Sequence, residues 1–369
     1  MSDTVIRYVP ALGRRVREGT WEDQAISGIT KMQEAISHEQ WDEAARFGNY
    51  FVDEALVCFQ LYRQWGSDLL AFLRGRGIDP VSLASANAEI VAKLARPDGR
   101  PFDRNRMWNE FREGVETFVA LCHRERGEQA LHVLDDFVET WRQLHDRDVD
   151  HTYGLMSEIV EQLGERAIGE MYDNLLIPLF VWRYEKFDID KHRWEEALQL
   201  LMQVCFEAAR SHLFGAERRG DMEVIEYDDR FVLSFDPCGS GGRTVRGDEI
   251  EGTPPRMEEP YNWRVSKEPH SWNHFQEGVC LYCSHCIRLM EEIPIDRFGY
   301  PVRVVDPPRY VPGKPELAQK CQYTMYKDPT AVPEEVYERV GRKKTGRFGS
   351  VANDAPELPD AGINMPGSG

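Results

Sequence analysis

Three cysteines at even spacing, Cys280, Cys283 and Cys286, lie in the run Gly-Val-Cys-Leu-Tyr-Cys-Ser-His-Cys. A fourth, Cys238, lies upstream in the glycine-rich segment Asp-Pro-Cys-Gly-Ser-Gly-Gly-Arg. Half of the chain's eight cysteines therefore fall between positions 238 and 286. In a reducing compartment, thiols grouped in this way are typical of a metal or redox centre rather than of a disulfide framework.

The cysteine spacing predicts a zinc site. Zinc takes four ligands, mostly thiolate and imidazole, and a Cys-x-x-Cys pair supplies two of them through a tight turn. The predicted ligands are Cys238, Cys283, Cys286 and His274, with Cys280 as a further candidate. Spacing alone does not choose among the histidines, so His270 and His285 are possible substitutes or neighbours of the ligands.

An iron–sulfur cluster is the alternative to zinc. Three cysteines at this spacing together with one remote cysteine match the ligand set of a [4Fe–4S] cluster, in which Cys238 would be the remote ligand. The histidines between the cysteines favour zinc. Either metal could also serve without catalysis, as a structural centre or as a redox or metal sensor.

The glycine-rich segment is the argument for catalysis. Gly239, Gly241 and Gly242 allow backbone conformations that stack N–H groups into an anion-binding nest, and Arg243 adds a fixed positive charge. The candidate catalytic residues are therefore Arg243, His285 and His270. The leading hypothesis is a zinc enzyme, a hydrolase or lyase, that acts on a small polar or anionic substrate.

The same segment suggests a second hypothesis through a resemblance. The six residues from Cys238 to Arg243 resemble the active-site loop of the mercaptopyruvate sulfurtransferases of the rhodanese fold, in which a strand leads into Cys-Gly-Ser-Gly. This resemblance implies that Cys238 carries a persulfide in a sulfur-transfer enzyme. The run 279–286 is similar to the metal-binding run of the nitrile hydratases, with one residue more between its last two cysteines.

Two types of structure are predicted along the chain, which makes the fold class α+β. Residues 1–220 are predicted to form an all-helical domain, for which stacked helical hairpins are one arrangement, because apolar residues follow helical spacing from about 21 to 214. The segment 190–214 is the clearest helix. Cys58, Cys122 and Cys205 lie on such apolar faces and are predicted to be core residues. The polar run 145–151 is predicted to be a solvated helix junction.

Residues 221–342 are predicted to form a small, loop-rich α/β domain that holds the metal. A β-hairpin of 222–227 and 231–235 leads directly to Cys238. Further strands are predicted at 302–305 and 321–326, and a short helix begins near Pro333. The tail 343–369, rich in Gly, Pro, Ser and Asp, is predicted to be disordered.

Length and charge limit the class of protein. A chain of 369 residues exceeds the roughly 250 to 300 at which single cores stop growing. The formal charge of −18 argues against nucleic acid or an anionic membrane as partner. There is no apolar run of the ~20 residues that a membrane span needs and no secretion signal at the start. We therefore predict a cytoplasmic protein with a small-molecule substrate; the sequence does not indicate its oligomeric state.

Overall fold

The computed structural model describes residues 5–176, 185–188, 191–234, 236–318, 320–346 and 348. It is a mixed α+β structure with a large helical N-terminal part and two small sheets. Of the helices described in these ranges, none combines the length and the apolar character that crossing a lipid bilayer requires.

A β-hairpin precedes the helices. Strand β1 (Val5–Val9) pairs antiparallel with β2 (Arg14–Glu18) around a turn at Gly13, whose φ of 66° lies in the left-handed region. The prediction of an all-helical N-terminal part is therefore wrong for these residues. Few side chains of the hairpin are buried, mainly Leu12 and Val16 against Val204, so the sequence lacks the regular apolar alternation of a half-buried strand.

The helical part contains eight α-helices among the described residues. They are α1 (Trp21–Ala25), α2 (Gly28–Ser37), α3 (Trp41–Gly75), α4 (Pro80–Ala92), α5 (Arg104–Cys122), α6 (Gly127–Leu163), α7 (Arg166–Met171) and α8 (Trp194–Ser211). Helix α8 confirms the predicted helix within 190–214, although residues 189–190 lie outside the described ranges. The prediction that Cys58, Cys122 and Cys205 are buried is also confirmed.

Helix α6 is the central element. Every residue from 141 to 157 is buried, although this stretch includes seven charged or histidine side chains between 142 and 151. Helices α2, α3, α4 and α5 pack around it. The prediction of a solvated junction at 145–151 is therefore wrong, because these polar side chains find partners inside the protein rather than in water.

The second part contains an antiparallel four-stranded sheet. Its strands are β3 (Glu223–Glu226), β4 (Arg230–Ser234), β5 (Val304–Asp306) and β6 (Gln322–Tyr326), in the order β3-β4-β6-β5. Four short helices accompany it: α9 (Gly241–Arg246), α10 (Ser284–Ile287), α11 (Ile293–Phe298) and α12 (Glu334–Glu338). The predicted hairpin, the two further strands and the short helix after Pro333 are confirmed; Phe235 lies outside the described residues.

One cluster of buried apolar side chains runs through both parts and includes Trp141 of α6, Leu233 of β4 and Tyr282. The predicted boundary near residue 220 thus separates two types of secondary structure that share a core. Most of the predicted tail, 349–369, lies outside the described residues. At its beginning, the Lys344 ammonium donates to the carbonyl groups of Thr330 and Val332.

Candidate functional site

The pairing of two strands brings two distant cysteines together. In the β4–β6 ladder Ser234 lies opposite Gln322, so the end of β4 is next to the start of β6. Cys238 follows β4 and Cys321 immediately precedes β6, and the Cys321 thiol hydrogen-bonds to the Cys238 sulfur. Cys321 was absent from the predicted ligand set, although its strand was predicted, because the sequence did not show which strands pair.

Both cysteines line a cavity of about 100 Å³. The cysteines on its wall are Cys58, Cys205, Cys238, Cys283, Cys286 and Cys321. Other polar side chains on the wall are Glu207, Ser211, His212, Ser240, Tyr282, His285, Arg303 and Tyr323. Helices α3 and α8 form one side and the cysteine-bearing loops of the second part form the other, so both parts of the chain contribute to the cavity.

Cys238 is held by several hydrogen-bond donors. Its Sγ lies 3.1 Å from the Ser240 hydroxyl oxygen. Burial raises the pKa of this thiol, but hydrogen bonds from Cys321, from Ser240 and from the backbone N–H groups of Gly242 and Ser240 outweigh it and lower the pKa to about 6. Cys238 is therefore the thiolate of the cavity at neutral pH, the form in which sulfur is a nucleophile.

Two glycines of this loop are required by close approach. A Cβ on Gly239 would lie 1.8 Å from the carbonyl oxygen of His212, the residue that ends α8. A Cβ on Gly241 would lie 2.1 Å from the Sγ of Cys283. The loop that carries Cys238 is thus pressed between a helix end and the cysteine run, which explains these two glycines without an anion-binding nest.

Cys280 and Cys283 form a second thiol pair at the start of α10. The Cys280 Sγ lies 3.5 Å from the Thr244 hydroxyl oxygen. Burial raises the pKa of Cys280, but hydrogen bonds from Cys283, Thr244 and nearby backbone N–H groups lower it below its ordinary value. Its hydrogen bond to Cys280 raises the pKa of Cys283, and so does burial. When the pair loses one proton, the negative charge therefore falls on Cys280 and the remaining proton stays on Cys283.

Cys286 is a protonated thiol at the edge of the cavity. Its Sγ lies 3.4 Å from the Nε2 of His285 and 3.4 Å from the Tyr323 hydroxyl oxygen. Burial raises its pKa to about 12. The other ring nitrogen of His285, Nδ1, is 2.5 Å from the Tyr282 carbonyl oxygen, to which it donates. Of the predicted catalytic residues, His285 is the one that lies at the cavity.

A hydrogen-bonded chain begins at a buried carboxylate of α6. Burial raises the pKa of Asp146, but Arg218 and Arg243 lower it well below its ordinary value, so the carboxylate is ionised and accepts. The Nδ1 of His145 donates to it at 2.9 Å. Burial lowers the pKa of His145. The neutral ring therefore accepts at Nε2 from the Nδ1 of His212, which is 2.9 Å away.

The chain continues to the cavity through two tyrosines. The Tyr62 hydroxyl oxygen is 3.2 Å from the Nδ1 of His212 and 2.6 Å from the hydroxyl oxygen of Tyr282. Tyr282 is in turn hydrogen-bonded to Ser240, whose hydroxyl group contacts the Cys238 sulfur. Because the single proton on the Nδ1 of His212 is shared by the Nε2 of His145 and the Tyr62 oxygen, a continuous series of polar contacts links the buried carboxylate to the thiolate. Sequence periodicity identified Tyr62 as a core residue, and nothing in the sequence connected it to Cys238.

Arg243 belongs to a buried ion network rather than to the cavity wall. Its Nη2 lies 2.5 Å from an oxygen of Asp150, and Arg256 binds the other oxygen of that carboxylate at 2.9 Å. The buried network contains Arg142, Arg147, Arg218, Arg243, Arg256, Asp146, Asp150, Asp248 and Glu251. The structure therefore places the Arg243 guanidinium against carboxylates of α6, not beside the cysteines where an anion-binding role was predicted.

Two predicted histidines also lie away from the cavity wall. The Nε2 of His274 is 2.8 Å from a carboxylate oxygen of Glu291. The His270 ring stacks on Trp272, with centroids 4.5 Å apart. The structure thus brings four predicted cysteines and His285 together and does not bring His270, His274 or Arg243 to them.

No three histidine, cysteine or acidic side chains within the described ranges are grouped as they would be around a metal ion. The zinc and iron–sulfur hypotheses therefore stay predictions from the sequence. What the described residues do present is two hydrogen-bonded thiol pairs and a fifth thiol, Cys286, around one cavity.

Comparison with known proteins adds no assignment. No family model, no curated protein and no solved structure matches the chain. The functional argument therefore rests on the chemistry of the cavity itself.

Proposed function

We propose that this protein is a sulfur-transfer enzyme in which Cys238 takes a sulfane sulfur from a small donor and carries it as a persulfide. The observation that supports this most is the position of Cys238 on a cavity wall, where a thiol, a hydroxyl group and two backbone N–H groups all donate to its sulfur. Such donors stabilise a negative charge, which both a thiolate and a persulfide anion carry.

The proposed reaction is a nucleophilic displacement at sulfur. The Cys238 thiolate attacks the terminal sulfur of a hydropersulfide donor, R–S–SH, and a new sulfur–sulfur bond forms. The sulfur–sulfur bond of the donor breaks, and its electron pair leaves with the thiolate R–S⁻. Cys238 then holds the transferred sulfur as Cys238–S–SH, so atoms and charge balance without another reactant.

The size of the cavity and one charged side chain on its wall favour a small donor with an anionic end. Its volume of about 100 Å³ holds only a few non-hydrogen atoms. The buried guanidinium of Arg303 lies on the wall, above the Tyr323 ring at 5.4 Å. A fixed guanidinium in a largely apolar cavity favours a carboxylate or similar group on the donor.

The test is to load the reduced protein, without oxygen, with a small carboxylate-bearing hydropersulfide and to map the added sulfur by peptide mass spectrometry. We expect the wild type to take one sulfur atom from the donor, either found on the Cys238 peptide or released from the protein as sulfide, and neither result in Cys238→Ser. The matched control is Cys122→Ala, which removes a buried thiol of α5 that does not line the cavity and should load normally.

Folded wild-type protein that neither carries added sulfur on Cys238 nor releases sulfide would contradict the proposal. Elemental analysis of the same preparation separates it from the metal hypotheses. Stoichiometric zinc or iron whose removal is needed before Cys238 reacts would favour the metal centre predicted from the sequence over sulfur transfer.

A further inference from the structure

Cys280 and Cys283 form a Cys-x-x-Cys pair that the proposed sulfur transfer to Cys238 does not use. Their thiols are hydrogen-bonded to each other, and Cys283 lies on the wall of the same cavity as Cys238. Two cysteines at this spacing at the start of a helix are close enough to form a disulfide in a tight loop. By forming a disulfide, the pair can donate two electrons next to Cys238, the proposed sulfur carrier.

The position of Cys283 relative to Cys238 is fixed by a glycine. The Cys283 sulfur occupies the space beside Gly241, where a Cβ would be only 2.1 Å away, and Gly241 belongs to the loop that begins at Cys238. Cys321 is placed differently, because it hydrogen-bonds to the Cys238 sulfur itself. Cys283 therefore lies against the loop that carries Cys238 but does not hydrogen-bond to the Cys238 sulfur, as Cys321 does.

We propose that the Cys280–Cys283 pair reduces the persulfide formed on Cys238 and releases its outer sulfur as hydrosulfide. This inference rests on the proposed function, because it needs a sulfur on Cys238. It assigns the protein a second half-reaction, in which an external thiol regenerates the pair.

The chemistry takes two displacements. The Cys283 sulfur attacks the outer sulfur of Cys238–S–SH, its proton passes to Cys238, and the sulfur moves to Cys283. The Cys280 sulfur then attacks the inner sulfur of Cys283 with loss of its proton, which forms the Cys280–Cys283 disulfide and expels HS⁻. The sum converts one persulfide and two thiols into one thiol, one disulfide, HS⁻ and one proton; the pair is oxidised and the sulfane sulfur is reduced.

The environment of Cys280 suits the second displacement. Its sulfur lies 3.5 Å from the Thr244 hydroxyl oxygen and belongs to the same Cys-x-x-Cys turn as Cys283, which places it next to the sulfur that Cys283 receives. Cys280 is completely buried, whereas Cys283 lies at the cavity. The order of events therefore follows from access: Cys283 meets the persulfide first and Cys280 completes the release.

The experiment is a single loading of the full-length reduced protein with a limiting small hydropersulfide, without oxygen and without external thiol. Sulfide is quantified, and sulfur and disulfides are mapped by mass spectrometry. We expect wild-type protein to release stoichiometric sulfide and to form the Cys280–Cys283 disulfide. Cys283→Ser should keep the persulfide on Cys238 and release no sulfide, and Cys122→Ala should behave as wild type.

Each failure has a distinct result. Wild-type protein that keeps its Cys238 persulfide and releases no sulfide overturns this inference and leaves the proposed function standing. Sulfide release with a Cys238–Cys321 disulfide, retained in Cys283→Ser, assigns the reduction to Cys321 and also overturns it. No sulfur on Cys238 in either protein means that the proposed function itself fails. The wild-type disulfide map does not depend on whether a variant folds.

Discussion

Cys238 keeps a negative charge in a buried position because donors surround its sulfur on several sides. The groups that bear on it are the Ser240 hydroxyl group, the Cys321 thiol and loop N–H groups. The thiols of Cys283, Cys286 and Cys321 have raised pKa values and stay protonated, so they add no competing negative charge. Cys238 is thereby set apart from these three thiols as the proposed nucleophile toward the sulfur donor.

The first prediction concerns the pH dependence of Cys238. Because its pKa is lowered to about 6, it is a thiol below this value and a thiolate above it. Its rate of alkylation by iodoacetamide should therefore rise with pH, with a midpoint near 6, and level off at neutral pH. Cys286, with a pKa raised to about 12, serves as the internal control and should not react over this range. A midpoint for Cys238 near the ordinary ~8.5 would refute the assignment.

The second prediction concerns the hydroxyl group of Tyr62, which links His212 to Tyr282. Tyr62→Phe should raise the pKa of Cys238, because the donor chain that ends at its sulfur is interrupted. It should also cost about 1–3 kcal/mol of unfolding free energy, since buried partners lose a hydrogen bond. Alkylation profiles and urea unfolding measure the two effects. Tyr8→Phe is the control, because Tyr8 is 60% exposed and should change neither quantity; an unchanged Cys238 profile in Tyr62→Phe would show that the chain is only structural.

At the scale of elements, the segment that leads from β4 into α9 positions the site because other groups can approach its backbone closely. The absence of side chains at Gly239 and Gly241 lets the end of α8 and the Cys283 sulfur approach the loop that carries Cys238. The β4–β6 pairing then adds Cys321 from the other side. The end of α8, the Cys283 sulfur and Cys321 therefore all pack against this one short segment, and the cavity forms around it.

The third prediction tests this approach without changing a cysteine. In Gly241→Ala the new methyl group would overlap the Cys283 sulfur, so the thiol must move. We expect a loss of about 1–3 kcal/mol of stability, as for other overpacked sites, and slower sulfide release. Gly75→Ala at the end of α3 is the control, because a Cβ there meets nothing within 4 Å. Thermal unfolding and the single-loading assay measure both, and Gly241→Ala that behaves as its control would contradict the packing argument.

Local sequence predicted much of this arrangement but not its long-range contacts. The hairpin that leads to Cys238, the run from Cys280 to Cys286 and the strand near Cys321 were all predicted, because each depends on spacing within a few residues. The contact of Cys238 with Cys321 depends on strand pairing, and that of Tyr62 with Tyr282 depends on helix packing. Neither contact leaves a periodic signal in a single sequence. Four cysteines and His285 were therefore predicted at one site, while Cys321 and Tyr62 were missed.

At the scale of the whole molecule, the ion network joins the two parts of the chain. Carboxylates of α6 bind arginines that come from residues 218–256, among them Arg243 and Arg256 on Asp150. Removing one member of a buried group of charges leaves its partners unpaired in a low-dielectric interior. The sequence could not show this, because the residue types of 142–151 are equally compatible with a solvated surface and with a buried network of ion pairs.

The fourth prediction concerns the removal of one carboxylate from this buried network. Asp150→Ala leaves the guanidinium groups of Arg243 and Arg256 without their shared carboxylate and should cost about 3–5 kcal/mol of unfolding free energy. Glu161→Ala removes the carboxylate of a solvent-exposed pair with Arg264 and should cost less than about 1 kcal/mol. Urea unfolding of both variants measures the difference. Equal, small losses would mean that the buried network contributes little to stability.

The division of this network along the chain has a consequence for synthesis. A ribosome releases α6 with its aspartates long before the arginines near residues 243 and 256 exist, and translation adds only about 5–20 residues per second. Until these arginines are synthesised, the central helix of the nascent protein carries charges whose final partners are missing. The helical bundle therefore cannot exclude water from around α6. The interior of the bundle around residues 142–151 is therefore completed only after residues 218–256 have been synthesised, and the cavity only after Cys321 and Tyr323, which lie on its wall, have followed.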